Sequence, residues 1–473
     1  MQPKKNTKKI RPRFDPDNLL VKTVTLPAST LDKTIVASSA LAQRIPDHLN
    51  PAKASRRVRD FWHDLGPGLT TGASDDDPSG IATYSQAGAQ YGYHFLWLAP
   101  LTFPLMGFVQ EMCARIGMIT GRGLAANIRT LYSKKVLRLL TLLLFAANTF
   151  NIGANLGAIA QAVRLLLPAV PTWSLVVFFA VLSLSLQIFT PYPKYARYLK
   201  YLALILLSYV VSALLAHLDW GAIFHATITP TITFNKDTIV LICAILGTTI
   251  SPYLFFWQTS QEVEEQIAQG KTTLRERQLL TSPAEIKHMR RDVWSGMFLS
   301  NLAMFFVIAA CGGILYANGI HEITSAAQAA EALRPFAGNA TYTLFALGII
   351  GTGMLSIPVL AGSSSYAIAE SLQLRSGLHR PLKQAYAFYG VIMISMLLGL
   401  VLNFVGLDPI KALIYSAVGN GIVAPFVLFF IVRLSSNKKV MGRWVNKPII
   451  TAIGWLTTVL MAVAGIAAIF AFL

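Results

Sequence analysis

Gly66-Pro67-Gly68-Leu69-Thr70-Thr71-Gly72-Ala73-Ser74-Asp75-Asp76-Asp77-Pro78-Ser79-Gly80-Ile81-Ala82-Thr83 opens the first membrane-length apolar segment of this chain and sets three carboxylates and a proline inside it. Spanning a bilayer asks for neither. An ionisable side chain at membrane depth costs at least ~2.5–3.5 kcal/mol on insertion scales, and glycine and proline interrupt the backbone bonding that hydrocarbon otherwise enforces. Asp77 directly precedes Pro78, so Asp77 can cap and Pro78 can open a new half-helix through Tyr84 and Ala87. The half-helix before it then ends near Ala73 and Ser74. Such a break exposes carbonyl oxygens beside a fixed negative charge, which suits a cation. A kink capped and buried against neighbouring helices is the other reading this segment allows.

Working outward, 54% of the 473 residues are hydrophobic and 13% charged, too apolar a balance for a soluble globule. The sequence is that of an all-α polytopic membrane protein. Its formal charge of +18 does not indicate nucleic acid, because the basic residues lie in the N-terminal tail and in alternate loops, where the positive-inside rule places them. Cys113, Cys243 and Cys311 sit in apolar stretches without CxxC spacing and read as small core residues.

Residues 1–60 form a basic cytoplasmic tail with no apolar core that would make a signal peptide. About eleven spanning segments follow, near 64–90, 93–118, 136–166, 171–190, 197–217, 238–258, 292–316, 341–370, 385–404, 410–434 and 448–471. With the N-terminus inside, Arg122 to Lys135, Lys194 to Lys200, Lys271 to Arg291, Arg375 to Lys383 and Lys438 to Lys447 fall on the cytoplasmic side. The opposite loops, around Asp219, His321 to Arg334 and Asp408, carry little positive charge, and the C-terminus falls outside.

The sixth segment contains Ile245-Leu-Gly-Thr-Thr-Ile-Ser-Pro-Tyr-Leu-Phe-Phe-Trp-Gln258, in which Ser251, a capping residue, again directly precedes a proline, Pro252. Segments one and six thus begin two five-helix halves, and an offset of five makes the halves face opposite ways. The division expected is 61–217 for the first inverted repeat, 238–434 for the second and 448–471 for an eleventh helix. Interrupted helices in matching positions of inverted halves point to a midplane binding site in a secondary transporter.

At these residues the chain resembles the NRAMP family of divalent-metal transporters, over roughly residues 60 to 435. The resemblance rests on Gly66-Pro67-Gly68, on Asp77-Pro78 in place of the family's Asp-Pro-Gly-Asn, and on Gln86-Ala-Gly-Ala-Gln-Tyr-Gly-Tyr93. It continues through Ala114-Arg115-Ile-Gly, Thr120-Gly-Arg-Gly-Leu-Ala125, Leu246-Gly247 with Pro252, and Leu344-Phe-Ala-Leu-Gly-Ile-Ile350. It implies a LeuT-type fold of two inverted five-helix repeats working by alternating access. It also implies an ion held by the Asp and Asn of the first motif and by a backbone carbonyl and a methionine sulfur before the proline of segment six.

Carried over residue by residue, Asp77 is retained, Gly80 stands at the Asn, Thr248 at the carbonyl donor, and Ser251 replaces the methionine. Without a thioether, the discrimination that favours Mn²⁺, Fe²⁺ or Cd²⁺ is lost, and an all-oxygen site suits Mg²⁺. Mg²⁺ keeps several waters and binds through one or two carboxylates, which fits small residues such as Gly80 and Ser251. The pattern resembles the NRAMP-related Mg²⁺ transporter branch. Positions matching the family's proton route read Tyr253, Gln258, Asn151 and Ala154, none of which titrates near neutral pH. Proton coupling is therefore not expected. A divalent cation moving inward across ~100 mV gains about 4.6 kcal/mol, enough for accumulation on the order of a thousandfold.

The expected metal set is Asp77, Thr248, Ser251, Asp76 and Gly80, with Ser74, Asn151, Asn155, Tyr253, Gln258 and Asn420 behind it or along the path. Three adjacent aspartates cannot all face one ion, and Asp77 ranks ahead of Asp76 on the motif match. Asn148, Asn151 and Asn155 recur at i, i+3, i+7 and make one polar stripe, which either lines the ion path or bonds between helices. Glu111 and Arg115, at i, i+4, read as a structural ion pair or gate brace. Glu262, Glu264 and Glu265, in the loop after segment six, read as a solvated charge run, with an inner vestibule or regulatory ion site as the other reading.

The expected partners are divalent metal ions and lipid, with Mg²⁺ or Mn²⁺ as cargo, no cofactor, no nucleic acid and no catalysed chemistry. Three alternatives stand beside this. They are a proton-coupled Mn²⁺/Fe²⁺ importer that replaces the missing methionine elsewhere, an organic-solute transporter, and a membrane sensor that binds metal without moving it.

Overall fold

A computed structural model describes residues 65–231, 235–323, 325–405 and 409–472. The basic tail and the loop at Asp408 lie outside these residues. The first segment is two helices, α1 (Pro67–Asp75) and α2 (Pro78–Tyr91), each begun by a proline, whose missing N–H is harmless in a first turn. Asp76 and Asp77 are the non-helical residues between them, with ψ of 53° and 170°.

The chain continues through α3 (Leu98–Thr120), α4 (Leu124–Leu131), α5 (Lys134–Leu166) and α6 (Thr172–Phe189). Next come α7 (Tyr192–Leu202) and α8 (Leu207–Leu215), joined by a tight 3₁₀ turn into one span, and a short α9 (Trp220–Ile228). The sixth segment is again two helices, α10 (Lys236–Thr249) and α11 (Pro252–Ala268). After α12 (Leu274–Leu279) come α13 (Pro283–Ile314), α14 (Ala326–Ser371), α15 (Tyr386–Leu402), α16 (Pro409–Ser435), α17 (Lys438–Met441) and α18 (Pro448–Phe472).

Eight helices among the described residues are long and apolar enough to cross a membrane, counting α7–α8 and α10–α11 as continuous. The remaining expected segments are α1–α2, which the break shortens, α3, whose apolar run is diluted by Gln110, Glu111 and Arg115, and the 17-residue α15. Both expected breaks are present.

Three loop expectations need correction. The 271–291 stretch is not a plain charged loop, because Thr273 with Glu276 and Ser282 with Glu285 form capping boxes that start α12 and α13. The stretch before 341 is helical from Ala326, with a kink at Gly338 (φ 81°) that separates it from the span. Glu262, Glu264 and Glu265 lie inside α11, and the first two are buried.

Two features hold α1 in place. A Cβ on Gly72 would lie 2.2 Å from the Gly296 carbonyl, and one on Gly68 2.5 Å from the Val293 nitrogen, so α1 meets α13 backbone to backbone. Asp292 of α13 then caps α1 from outside, accepting from the N–H groups of Gly66 (2.8 Å), Gly68 (2.6 Å) and Leu69 (3.0 Å). Glu111 of α3 braces the same region, taking Arg290 Nη2 at 2.9 Å and Trp294 Nε1 at 3.0 Å; Arg115 stands 3.9 Å away and donates to Asn446. The ion pair read from the sequence is present at 3.9 Å, while the shorter bonds of Glu111 go to α13.

Candidate cation site at the paired helix breaks

The side chain of Asp77 caps α2. Its Oδ1 accepts from Gly80 N at 3.0 Å and from the Ser79 hydroxyl. Its Oδ2 accepts from Asn151 Nδ2 at 2.8 Å and Asn155 Nδ2 at 3.1 Å, both on α5. Four neutral donors therefore hold one buried carboxylate.

Asp76, one residue earlier, is fully buried and neither carboxylate oxygen has a protein partner. Asp75, equally buried, is partnered at one oxygen, with Oδ2 accepting from Ser300 Oγ at 3.0 Å and Oδ1 unpartnered. Buried polar atoms are normally paired, so carboxyl oxygens without a protein partner at a helix break are candidates for a bound cation or water.

The second break is hydroxylic. Ser251 does not cap α11; its Oγ turns back and donates to the carbonyls of Gly247 (2.8 Å) and Thr248 (2.7 Å) at the end of α10. The Thr248 hydroxyl donates to Ile245 O at 3.0 Å and reaches Tyr84 Oη at 3.4 Å.

Two tyrosines join the breaks reciprocally. Tyr84 of α2 lies 3.3 Å from Thr249 Oγ1, and Tyr253 of α11 donates to the Ser74 carbonyl at 2.9 Å. Ser363 of α14 holds the Tyr253 carbonyl at 2.7 Å.

The asparagine stripe lies where the sequence places it. Asn148 donates to Leu360 O and to Ser364 Oγ (3.0 Å), and Asn155 shares its amide between Asp77 and Ser356 Oγ (3.2 Å). The stripe thus bonds between helices, while the Oδ1 atoms of all three asparagines remain buried and unpartnered. Asn420, with an unpartnered Oδ1, sits where α16 meets α10 at Gly247 and Gly421.

A Cβ on Gly80 would meet the Tyr84 ring at 3.4 Å, ordinary contact, so the absent side chain leaves room beside the break. Gln258 donates to Glu262 Oε1 at 2.8 Å, further along α11. Among the described residues no three His, Cys, Asp or Glu side chains form a metal-holding group.

Sequence reading missed two contributors on α13, Ser300 and Met304. Met304 Sδ lies 4.0 Å from Thr249 Oγ1. Their i, i+4 spacing on one helical face is the signal that was there to find.

Broken helices paired between halves, around buried acidic and hydroxylic groups, define a membrane protein of LeuT-type fold. Residues 68–471 match the family described as natural resistance-associated macrophage protein-like (Nramp), and the chain belongs to that family. The divalent metal cation transporter MntH of Klebsiella pneumoniae is 27% identical over 410 residues, covering 85% of this chain and 92% of its own. The protein of the same name from Deinococcus radiodurans is 26% identical over 409 residues, covering 86% and 89%. Among solved structures, a manganese transporter from Eremococcus coleocola superposes with a TM-score of 0.68 at 18% identity, over 86% of both chains. Mhp1, a nucleobase-cation-symport-1 family transporter, follows at 0.53 and 15%, over 86% and 91%. At such identities these two likenesses speak to fold alone.

Proposed function

We propose that this protein carries divalent metal cations into the cytoplasm by alternating access, with Mg²⁺ the favoured cargo, Mn²⁺ also accepted, and no coupled proton. The observation that carries the reading is the buried pair Asp76 and Asp77 at the first break, one carboxylate unpartnered and the other held by two asparagine amides. A cation between them draws on the free oxygens of Asp76. Rotation of the Asn151 and Asn155 amides would turn oxygen in place of nitrogen toward it. The Thr248 carbonyl and the Ser251 hydroxyl supply neutral oxygen from the facing break.

One or two carboxylates, neutral oxygens and retained water suit a hard ion that sheds water reluctantly. Tyr253 and Gln258 at the positions of the family's proton route favour uncoupled uptake. The N-terminus is taken as cytoplasmic and the membrane as the plasma membrane, from the distribution of Lys and Arg. The names of the MntH relatives support divalent cations as the class of cargo.

A second reading has one observation in its favour. Met304 places a thioether 4.0 Å from Thr249, so a sulfur lost from position 251 has a neighbour on α13 that would suit a transition-metal importer. Uptake into liposomes separates the two. On the Mg²⁺ reading, millimolar Mg²⁺ competes with Mn²⁺ entry and a lumenal pH dye stays flat under an imposed Mn²⁺ gradient. Mg²⁺-insensitive entry with a pH change would establish the proton-coupled importer instead.

A further inference from the structure

Glu264 lies near the end of α11 farthest from the break, with a side chain only 2% exposed. It receives four hydrogen bonds. Tyr366 Oη donates at 2.7 Å, Leu378 N at 2.8 Å, His379 N at 3.1 Å and His379 Nδ1 at 2.8 Å. All four donors belong to α14 or the turn that follows it, more than a hundred residues away in sequence.

A reciprocal tie runs beside it. Glu370 of α14 accepts from Ser260 Oγ of α11 at 3.3 Å and from Ala126 N of α4 at 3.2 Å. The turn is itself anchored to α15, since Tyr389 Oη donates to the Arg380 carbonyl at 2.8 Å. A cavity of about 410 Å³ opens next to this cluster, lined by Glu264, Glu370, His379, Arg122, Arg277 and Arg380.

The placement matters because α11 is the second half of a broken helix. Alternating access, on which this inference rests, requires half-helices beside the site to move against helices that stay. From Ser251 at the break to Glu264 at the far end, α11 meets α14 through Ser363–Tyr253, Ser260–Glu370 and Glu264–Tyr366. The first two ties each involve one neutral donor on one acceptor. Of these three ties, only that at Glu264 gathers four donors on one buried carboxylate.

We propose that Glu264 is the latch of the gate at this end of the molecule: its carboxylate holds α11 shut against α14 and the 372–380 turn, and the cation passes only when those bonds are released. Glu264 acts on the path by positioning α11. It is not a ligand of the ion.

The test uses the full-length protein purified in detergent without metal, carrying one reporter cysteine in a background where Cys113, Cys243 and Cys311 are replaced by alanine. Ala367→Cys reports on the latch, since Ala367 is buried on the α14 face that bears Ser363 and Glu370. Ala89→Cys, buried near the end of α2, reports on the opposite end. Adding Glu264→Gln, and separately His379→Ala, is expected to raise the rate at which an impermeant thiol reagent modifies the first reporter by about tenfold to hundredfold, and to leave the second unchanged.

His379→Ala removes only one of the donors and carries the test if Glu264→Gln fails to fold. Unchanged labelling of the Ala367→Cys reporter in the folded variants would overturn the latch. So would a parallel rise at both reporters, which marks general loosening. Because labelling needs no metal, a failure of the unmodified protein to take up Mg²⁺ or Mn²⁺ would count against the transport reading and leave this result standing.

Discussion

The two helix breaks share a backbone and differ in chemistry. At the first, the residue before proline is Asp77, which caps the half-helix that follows and is gripped by α5. At the second, Ser251 leaves that helix uncapped and satisfies the carbonyls of the half-helix that precedes it. One break is therefore held by long-range bonds to a charge, the other by its own local backbone. Among the described residues, the buried carboxyl oxygens without a partner, on Asp75 and Asp76, lie at the first. On the proposed reading, the acidic break is where a cation gains most, and the hydroxylic break supplies neutral oxygen without a second charge.

The largest expected effect tests the grip. Asp77→Ala removes the cap of α2 and strands the amides of Asn151 and Asn155, costing about 3–5 kcal/mol of stability together with all measurable uptake. Thermal unfolding and liposome flux read the two losses.

Asp76→Asn should split them. Uptake falls about a hundredfold, because a unit charge near the ion is lost. The metal-free protein should not be destabilised, because the Asp76 side chain has no protein hydrogen bond to lose. Mg²⁺ at a hundred times its Kd should stabilise the unmodified protein by about 2.7 kcal/mol, and that increment should vanish in Asp76→Asn. If Asp76→Asn destabilises the free protein and keeps the Mg²⁺ increment, the contrast between the two aspartates is wrong.

Ser251→Met sharpens the comparison from the other side. Placing a thioether at the hydroxylic break should move selectivity toward Cd²⁺ and Mn²⁺ over Mg²⁺ by about tenfold, read by competition. Overpacking a fully enclosed position costs about 1–3 kcal/mol. Met304→Ala separates the readings of the unmodified protein: Mn²⁺ affinity that survives it leaves the oxygen site in place, whereas a loss specific to Mn²⁺ and Cd²⁺ makes Met304 the soft ligand.

Both breaks were legible in the sequence because a capping residue directly before proline is a local signal, and the asparagine stripe because i, i+3, i+7 is fixed by helix geometry. The relation between Asp76 and Asp77 was not. The motif ranks Asp77 first, but which carboxylate is already saturated depends on Asn151 and Asn155, some 75 residues away. A still longer separation, of more than a hundred residues, hid Glu264, which next to Lys271 and Arg275 looks like one more solvated charge until Tyr366 and His379 close over it. Asp292 was opaque for a like reason, since its three bonds cap a helix more than two hundred residues earlier. Local rules find where a helix stops, whereas the pairing of a buried charge is a tertiary fact.

Ser251→Ala is the smallest perturbation and the most direct test of the hydroxylic break. The Ser251 proton is shared between the carbonyls of Gly247 and Thr248. Its removal deprives them of a donor and costs about 0.5–1.5 kcal/mol. It also frees the Thr248 carbonyl, the oxygen assigned to the ion, so the lost hydroxyl ligand is offset by a carbonyl no longer bonded elsewhere. Uptake should therefore change by less than about threefold while stability falls. A loss of flux as deep as that of Asp76→Asn would mean that the freed carbonyl does not make up for the hydroxyl, and that the two breaks share the cargo more equally than their charges suggest.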